Sequence, residues 1–167
     1  SAPLGMASIE FYVDNIGNTN RWAYDSRNNR VLEIDGRGNV RRSAFDGLNR
    51  LIQSTRELTD TGGGSGKIIG SIVTRQTWDD SSRLTSQTDD NTNTTSHVHD
   101  SLDRRVRTVF ADGTSNSVVY DVHDNPVSMT DANGSVVTLN YDLRDRVTSK
   151  AIARAAGVLG TTFEEIR

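Results

Sequence analysis

The chain has 167 residues, no Cys, 34% apolar residues and a net charge of −3. Disulfides, thiolate metal sites and Cys nucleophiles are thereby excluded, and no broad basic field exists to hold nucleic acid or an anionic membrane. No apolar run approaches the roughly 18 residues that a membrane-spanning helix needs, and this length predicts one domain.

Residues 1–8 read as an N-terminal leader. Ser1-Ala-Pro-Leu-Gly-Met6 lacks the charged-then-apolar layout of a signal peptide and has the look of a cloning remnant ahead of Met6. From residue 9 to about 151 an aromatic or His residue followed by Asp returns at Tyr24-Asp25, Phe45-Asp46, Trp78-Asp79, His99-Asp100, Tyr120-Asp121 and Tyr141-Asp142. The gaps are 21, 33, 21, 21 and 21 residues, and 33 is one period plus a 12-residue insertion. A fixed period of this size marks a repeat architecture.

More of the unit recurs around that pair. Five residues after the ring stand Arg50, Arg83, Arg104 and Arg146, with Asn29 and Asn125 in the other two units. Two further on come Val31, Ile52, Thr85, Val106, Val127 and Thr148. Seven residues before the ring lie Gly17, Gly38, Gly113 and Gly134, and ten before it Asp14, Asp35, Asp89 and Asp131. Asp112-Gly113 and Asn133-Gly134 predict tight two-residue hairpin turns, whose centres need positive φ. After the second of them Val137, Leu139 and Tyr141 alternate with Val136, Thr138 and Asn140, the period of a strand. Trp22 with Tyr24 and Val118 with Tyr120 keep the same phase. One unit is therefore two strands of about five to seven residues. The expected fold class is all-β: antiparallel hairpin repeats of about 21 residues in a curved, elongated sheet. Equal spacing should line the rings up from unit to unit.

The insertion, at about 57–70, reads as a flexible loop. Its Gly62-Gly63-Gly64-Ser65-Gly66-Lys67 ends like a phosphate loop. Ile68 stands where that motif needs Ser or Thr, and no helix signal follows. Beyond the array, 152–167 is expected to be irregular or a partial next repeat. Ala151-Ile-Ala-Arg-Ala-Ala-Gly157 has helix-forming composition, and Thr161-Thr162-Phe163 looks like a resumed strand.

Chemistry finds little purchase. His97 and His99 share a strand face and His123 sits one unit on, but His99 occupies the ring position and His123 a turn, so a metal is not the reading. The twin acids Asp79-Asp80 and Asp89-Asp90 fall at turns, which accounts for them without Ca²⁺ or a carboxylate pair for glycoside hydrolysis. No Gly-x-Ser-x-Gly elbow is present. No catalytic, cofactor-binding or metal residue is assigned, and no cofactor is expected. Lys67 and Lys150 are the only lysines, and the planar fork of the recurring Arg suits fixed carboxylate contacts. That Arg is expected to reach an Asp of its own or the adjacent unit and pin the turn.

Asp131-Ala-Asn-Gly134 through Tyr141-Asp-Leu-Arg-Asp-Arg146, and Asp35-Gly-Arg-Gly38 through Phe45-Asp-Gly-Leu-Asn-Arg50, resemble the YD-repeat, or RHS (rearrangement hotspot), family. The resemblance covers about residues 14–150. It departs where Trp78, His99 and Phe45 replace Tyr, where Asn29 and Asn125 replace Arg, and at the insertion. It implies a β-sheet strip spiralling into a hollow shell that, in bacterial secreted or surface toxins, holds a toxic C-terminal domain. Toxin shells of this family end in a self-cleaving segment with Asp-Pro-x-Gly character; the only prolines here are Pro3 and Pro126. The chain is accordingly expected to be a piece of a larger bacterial protein. The resemblance further implies a non-enzymatic scaffold, secreted or at the cell surface. Its partners would be the parent's remaining repeats and an enclosed toxin domain.

Two other readings stand beside it. Family members have been linked to carbohydrate binding, and Trp22, Tyr24, Trp78, Tyr120 and Tyr141 would offer sugar platforms if their face is wet. A propeller with two units per blade fits the arithmetic but needs more strands. Open sheet edges and an uncovered face also predict self-association.

Overall fold

In a computed structural model, residues 6–157 and 164–166 are described, and the chain divides into two compact units, Ser1–Asn93 and Thr94–Arg167. The first contains β1 (Met6–Val13), β2 (Thr19–Asp25), β3 (Arg30–Ile34), β4 (Val40–Phe45), β5 (Leu51–Thr59), β6 (Ile68–Trp78) and β7 (Leu84–Thr88). The second contains β8 (Thr94–His99), β9 (Arg105–Val109), β10 (Ser115–Tyr120), β11 (Pro126–Thr130), β12 (Val136–Tyr141), β13 (Val147–Ala153) and β14 (Glu164–Ile166). Inside each unit every strand pairs antiparallel with the next in sequence. No helix occurs among the described residues. The fold is all-β, as the period of the sequence requires.

The described residues contain no thick core. Only Ala23, Ser54 and Thr108 are buried, and no large side chain is fully enclosed. A single layer of this kind is held by its ladders, its turns and the half-burial of side chains against neighbours across the strands.

An odd period poses a parity problem that the backbone solves. Side chains alternate faces along a strand, so slipping by one residue reverses every side chain. Ala23 pairs with Leu32 and Leu32 with Arg42, a step of 19 from 23 to 42. The repeat equivalent of Ala23 is Ala44, two beyond Arg42 and hence on the same face. The step is 19 because a β-bulge follows each aromatic-Asp turn: Tyr24 pairs with Arg30 but Ala23 with Leu32, leaving Val31 unopposed. Ile52, Thr85, Val106, Val127 and Thr148 are passed over in the same way. These are the β-formers that recur seven residues after each ring. With regular pairing throughout, a 21-residue unit would turn its equivalents to alternate faces. Because the bulge absorbs the odd residue, Trp22, Tyr24, Phe45 and Trp78 share one face of the first unit, and His97, His99, Tyr120 and Tyr141 one face of the second.

Three sequence expectations need correction. Residues 6–8 are not leader but the start of β1. The insertion is shorter as a loop than its 57–70 bounds, since β5 extends to Thr59 and β6 begins at Ile68, which leaves residues 60–67 between them. Its tip is docked, with the Gly64 amide donating to the Arg37 carbonyl at 2.8 Å and Gly64 packed on Gly38 so closely that a Cβ would collide with backbone. Finally, Ala151–Ala153 form the end of β13, where pairing with Val136–Thr138 overrides helical composition. Gly157 turns the chain at φ +89°. Thr161, Thr162 and Phe163 lie outside the described residues.

Candidate functional site

One loop is used at nearly every hairpin, and it is the chemical signature of the chain. In Asp46-Gly-Leu-Asn-Arg50 the Asp46 amide donates to the Arg50 carbonyl at 3.0 Å and the Asn49 amide to the Asp46 carbonyl at 3.2 Å. Asn49 has φ +63°. This is a three-residue loop closed by a residue in the left-handed region. Asp46 occupies both carboxylate oxygens: Oδ1 accepts the Leu48 and Arg50 amides at 2.8 and 3.0 Å, and Oδ2 accepts Arg50 Nε at 2.7 Å. Asp supplies what this turn needs, a short acceptor able to bond amides two and four residues on.

The other aromatic-Asp turns repeat it. Arg83, Arg104 and Arg146 clamp Asp79, Asp100 and Asp142 through Nε at 2.7, 2.7 and 2.8 Å. Asn29 and Asn125 do the same to Asp25 and Asp121 through Nδ2. The turns bearing Gly17, Gly38 and Gly134 are built alike, with positive φ at the glycine and Asp14, Asp35 or Asp131 capping the loop. Gly113 follows the pattern at φ +83°, with Phe110 in the first position and Asp112 bonding Thr114 instead. The expected two-residue turns are thus three-residue loops with glycine at the exit. Asn18, Asn39 and Asn93, four residues after their Asp, complete the clamp as the Arg does. That spacing is visible in the sequence, although it is the Arg that draws the eye.

The clamp leaves an electrostatic mark. The Asp100 and Asp142 carboxyls lie below the usual range chiefly because of the guanidinium bonds from Arg104 and Arg146. For Asp46 and Asp79 the backbone amides of Arg50 and Arg83 lead, and for Asp14, Asp25, Asp35 and Asp89 it is the Asn side chain.

A second set of bonds joins one turn to the next along the aromatic-Asp edge. Asn29 Nδ2 donates to Asn49 Oδ1 at 2.9 Å, and Asn125 Nδ2 to Asp145 Oδ1 at 2.7 Å. Arg50 reaches the Asp79 carbonyl at 2.6 Å and the Ser82 hydroxyl at 3.2 Å, while Arg104 pairs with Asp124. Each acceptor side chain sits at the left-handed position of its turn: Asn49 (φ +63°), Ser82 (+62°), Asp124 (+67°) and Asp145 (+58°). Glycine would be easier there; a polar side chain stands instead because it receives the preceding unit's donor. The same arginines cover the next ring, Arg50 lying 5.9 Å from the Trp78 centroid and Arg104 4.5 Å from Tyr120. Arg146, beyond which no further rung is described, has a side chain 70% exposed against 19% for Arg50.

The remaining residues singled out in the sequence are not gathered into a reactive centre. His97 Nδ1 meets Thr108 Oγ1 at 3.3 Å, whereas His123 lies in the 121–125 turn 3.7 Å from Asp145. Asp90 accepts the Val73 amide at 2.8 Å, which closes the edge of β6. In the Gly-rich tip the amides of Gly62, Gly64 and Gly66 are spent on carbonyls, so no phosphate cradle forms. Among the described residues no three His, Asp or Glu side chains are grouped to hold a metal.

The RHS Repeat family matches residues 120–158. Comparison with curated proteins gives no match. Among solved structures the chain is similar to a crystal structure of TcdB2-TccC3-TEV, with TM-score 0.61 and 13% identity over 89% of this chain and 9% of that one. It is likewise similar to TcdB2-TccC3, with TM-score 0.60 and 15% identity over 88% and 8%. A mutant Photorhabdus luminescens Tc holotoxin pore gives TM-score 0.58 and 16% identity over 87% and 9%. The chain thus spans under a tenth of the length of the structures it matches. The RHS Repeat family is matched over residues 120–158, and the clamped turn and the bulge found there recur in the earlier aromatic-Asp turns back to Asp25.

Proposed function

We propose that this chain is a length of wall in a larger, secreted RHS shell and that the shell encloses a toxin domain of the same polypeptide. The RHS-repeat sheet itself is a structural scaffold. The observation that carries the reading is the ladder: Asn29, Arg50, Arg104 and Asn125 each pin their own turn and hand a donor to the next, which suits indefinite extension of one layer. The toxin assemblies whose fold it shares support a parent about ten times longer. The rings are half-buried and two of them lie under guanidinium groups, which favours wall over sugar platform. Limited proteolysis of the parent polypeptide tests enclosure. The segment downstream of the repeats should resist protease while the sheet is folded and be cut once it is acid-unfolded; equal cutting rates in both states refute the reading.

A further inference from the structure

The aromatic face of the first unit carries two arginines whose guanidinium groups are not engaged by a carboxylate. Arg41 on β4 lies directly across from Arg56 on β5, and neither makes an ion pair among the described residues. Like charges in opposed positions of a sheet are destabilising. Glu33, across from Arg41 on the other side, leans to Arg30 at 3.8 Å, and Glu57 pairs with Arg42 at 3.2 Å on the opposite face. Arg41 is nevertheless held in place, because its Nε donates to the hydroxyl of buried Ser54 at 3.1 Å. That bond leaves its terminal nitrogens available. Beside the guanidinium is a hollow lined by Leu51, Ser54, Thr74, Gln76 and Gln87, with no carboxylate in it.

We propose that this hollow binds a carboxylate of an acidic polypeptide segment. The planar fork of Arg41 matches a carboxylate in two parallel bonds. Arg56, across from Arg41 but outside the lining of the hollow, adds a second positive charge to the face, and the Gln76 and Gln87 amides and Thr74 hydroxyl satisfy the remaining lone pairs. Leu51 accepts the methylenes of an Asp or Glu side chain. Strands β4 to β6 are paired on the ladder around the hollow and the Val73 amide is taken by Asp90, which disfavours a phosphate-type site built on backbone amides. The inference rests on the shell reading in one respect only, that polypeptide lies along this face.

Fluorescence anisotropy of a labelled oligoglutamate peptide with the full chain at low salt tests it. Binding should weaken about tenfold in Arg41→Gln, as loss of a charged hydrogen-bonding partner implies, less in Arg41→Lys and Arg56→Gln, and not at all in Arg42→Gln on the other face. Circular dichroism of each variant separates lost binding from lost fold. Absence of binding, equal loss in Arg42→Gln, or displacement by inorganic phosphate as readily as by unlabelled peptide would each overturn the proposal. Protease protection of the parent is a separate readout, so enclosure can fail while the site stands.

Discussion

The two edges of these sheets do different work with the same loop. At Gly17, Gly38, Gly113 and Gly134 the left-handed position is filled by the residue that reaches it most cheaply and no bulge follows, while Thr92 holds that position in the Asp89 turn; the clamp on Asp14, Asp35 or Asp89 is made by Asn. On the aromatic-Asp edge that position is Asn, Ser or Asp, a bulge follows every turn, and the clamp residue reaches on to the next unit. The first edge only reverses the chain. The second sets parity and carries register between repeats, and it accepts backbone strain to do so.

The largest effect should separate the bulge from the strand. Deleting Val127 removes the unopposed residue and leaves Tyr120–Pro126 and Val119–Ser128 as consecutive pairs, so a cost of roughly 1 kcal/mol is expected. Deleting Val137 instead reverses Leu139 and Tyr141 relative to Met129, and should cost about 3 kcal/mol or more. Urea titrations of the two variants settle the order, and equal loss would mean that parity is not what the bulge protects.

Acid comes next, and it acts on both edges. Every clamped Asp whose folded pKa is depressed contributes stability that is present above its unfolded value and lost as pH falls through the folded one. The Asp14, Asp25, Asp35, Asp46, Asp79, Asp89, Asp100, Asp112, Asp121 and Asp142 carboxyls all shift in that direction. The melting temperature should hold between neutral pH and about 5, then drop steeply below about 4. A melting curve indifferent to acid would show that the clamps are ornamental.

Glycine replacement probes the Gly edge alone. Gly113 has φ +83° and open space around it, so Gly113→Ala should cost about 1 kcal/mol from backbone strain only. Gly38→Ala adds a 3.1 Å contact with Gly64 Cα and should cost more. On the other edge Arg50→Lys keeps charge but loses the fork and the ring cover, a loss of about 1 kcal/mol. Thermal melts rank the three, and Gly113→Ala exceeding Gly38→Ala would show that the docked tip yields freely.

Much of this was legible in the letters. The 21-residue spacing gives the repeat, and Val137, Leu139, Tyr141 give the strand and its face. The clamp follows from Arg lying four residues after Asp. What escapes is set by pairing between strands. Asp112-Gly113 is equally compatible with two- and three-residue loops, and only the Phe110–Thr114 bond decides. Val127 looks like the first residue of a strand, and its lack of a partner depends on Pro126 and Ser128 pairing around it. The tip at Gly64 reads as free chain because nothing local says that Gly38, 26 residues earlier, leaves room for it.

The finest contrast lies between Asn28 and Asn49, two residues of one kind, in one conformation, on one edge. Both are left-handed, at φ +65° and +63°. Asn49 accepts from Asn29 at 2.9 Å, whereas the Asn28 side chain has no partner among the described residues. Replacing either by Gly relieves the same left-handed strain while loosening the unfolded chain, and those terms roughly cancel to within about 0.5 kcal/mol. Only Asn49→Gly also removes a rung, and a neutral hydrogen bond contributes about 1 kcal/mol. The difference between the two variants in urea is therefore the ladder's own contribution, free of the backbone term. If Asn28→Gly proves as destabilising as Asn49→Gly, the polar residues at these positions serve their own turns and the register between units has another source.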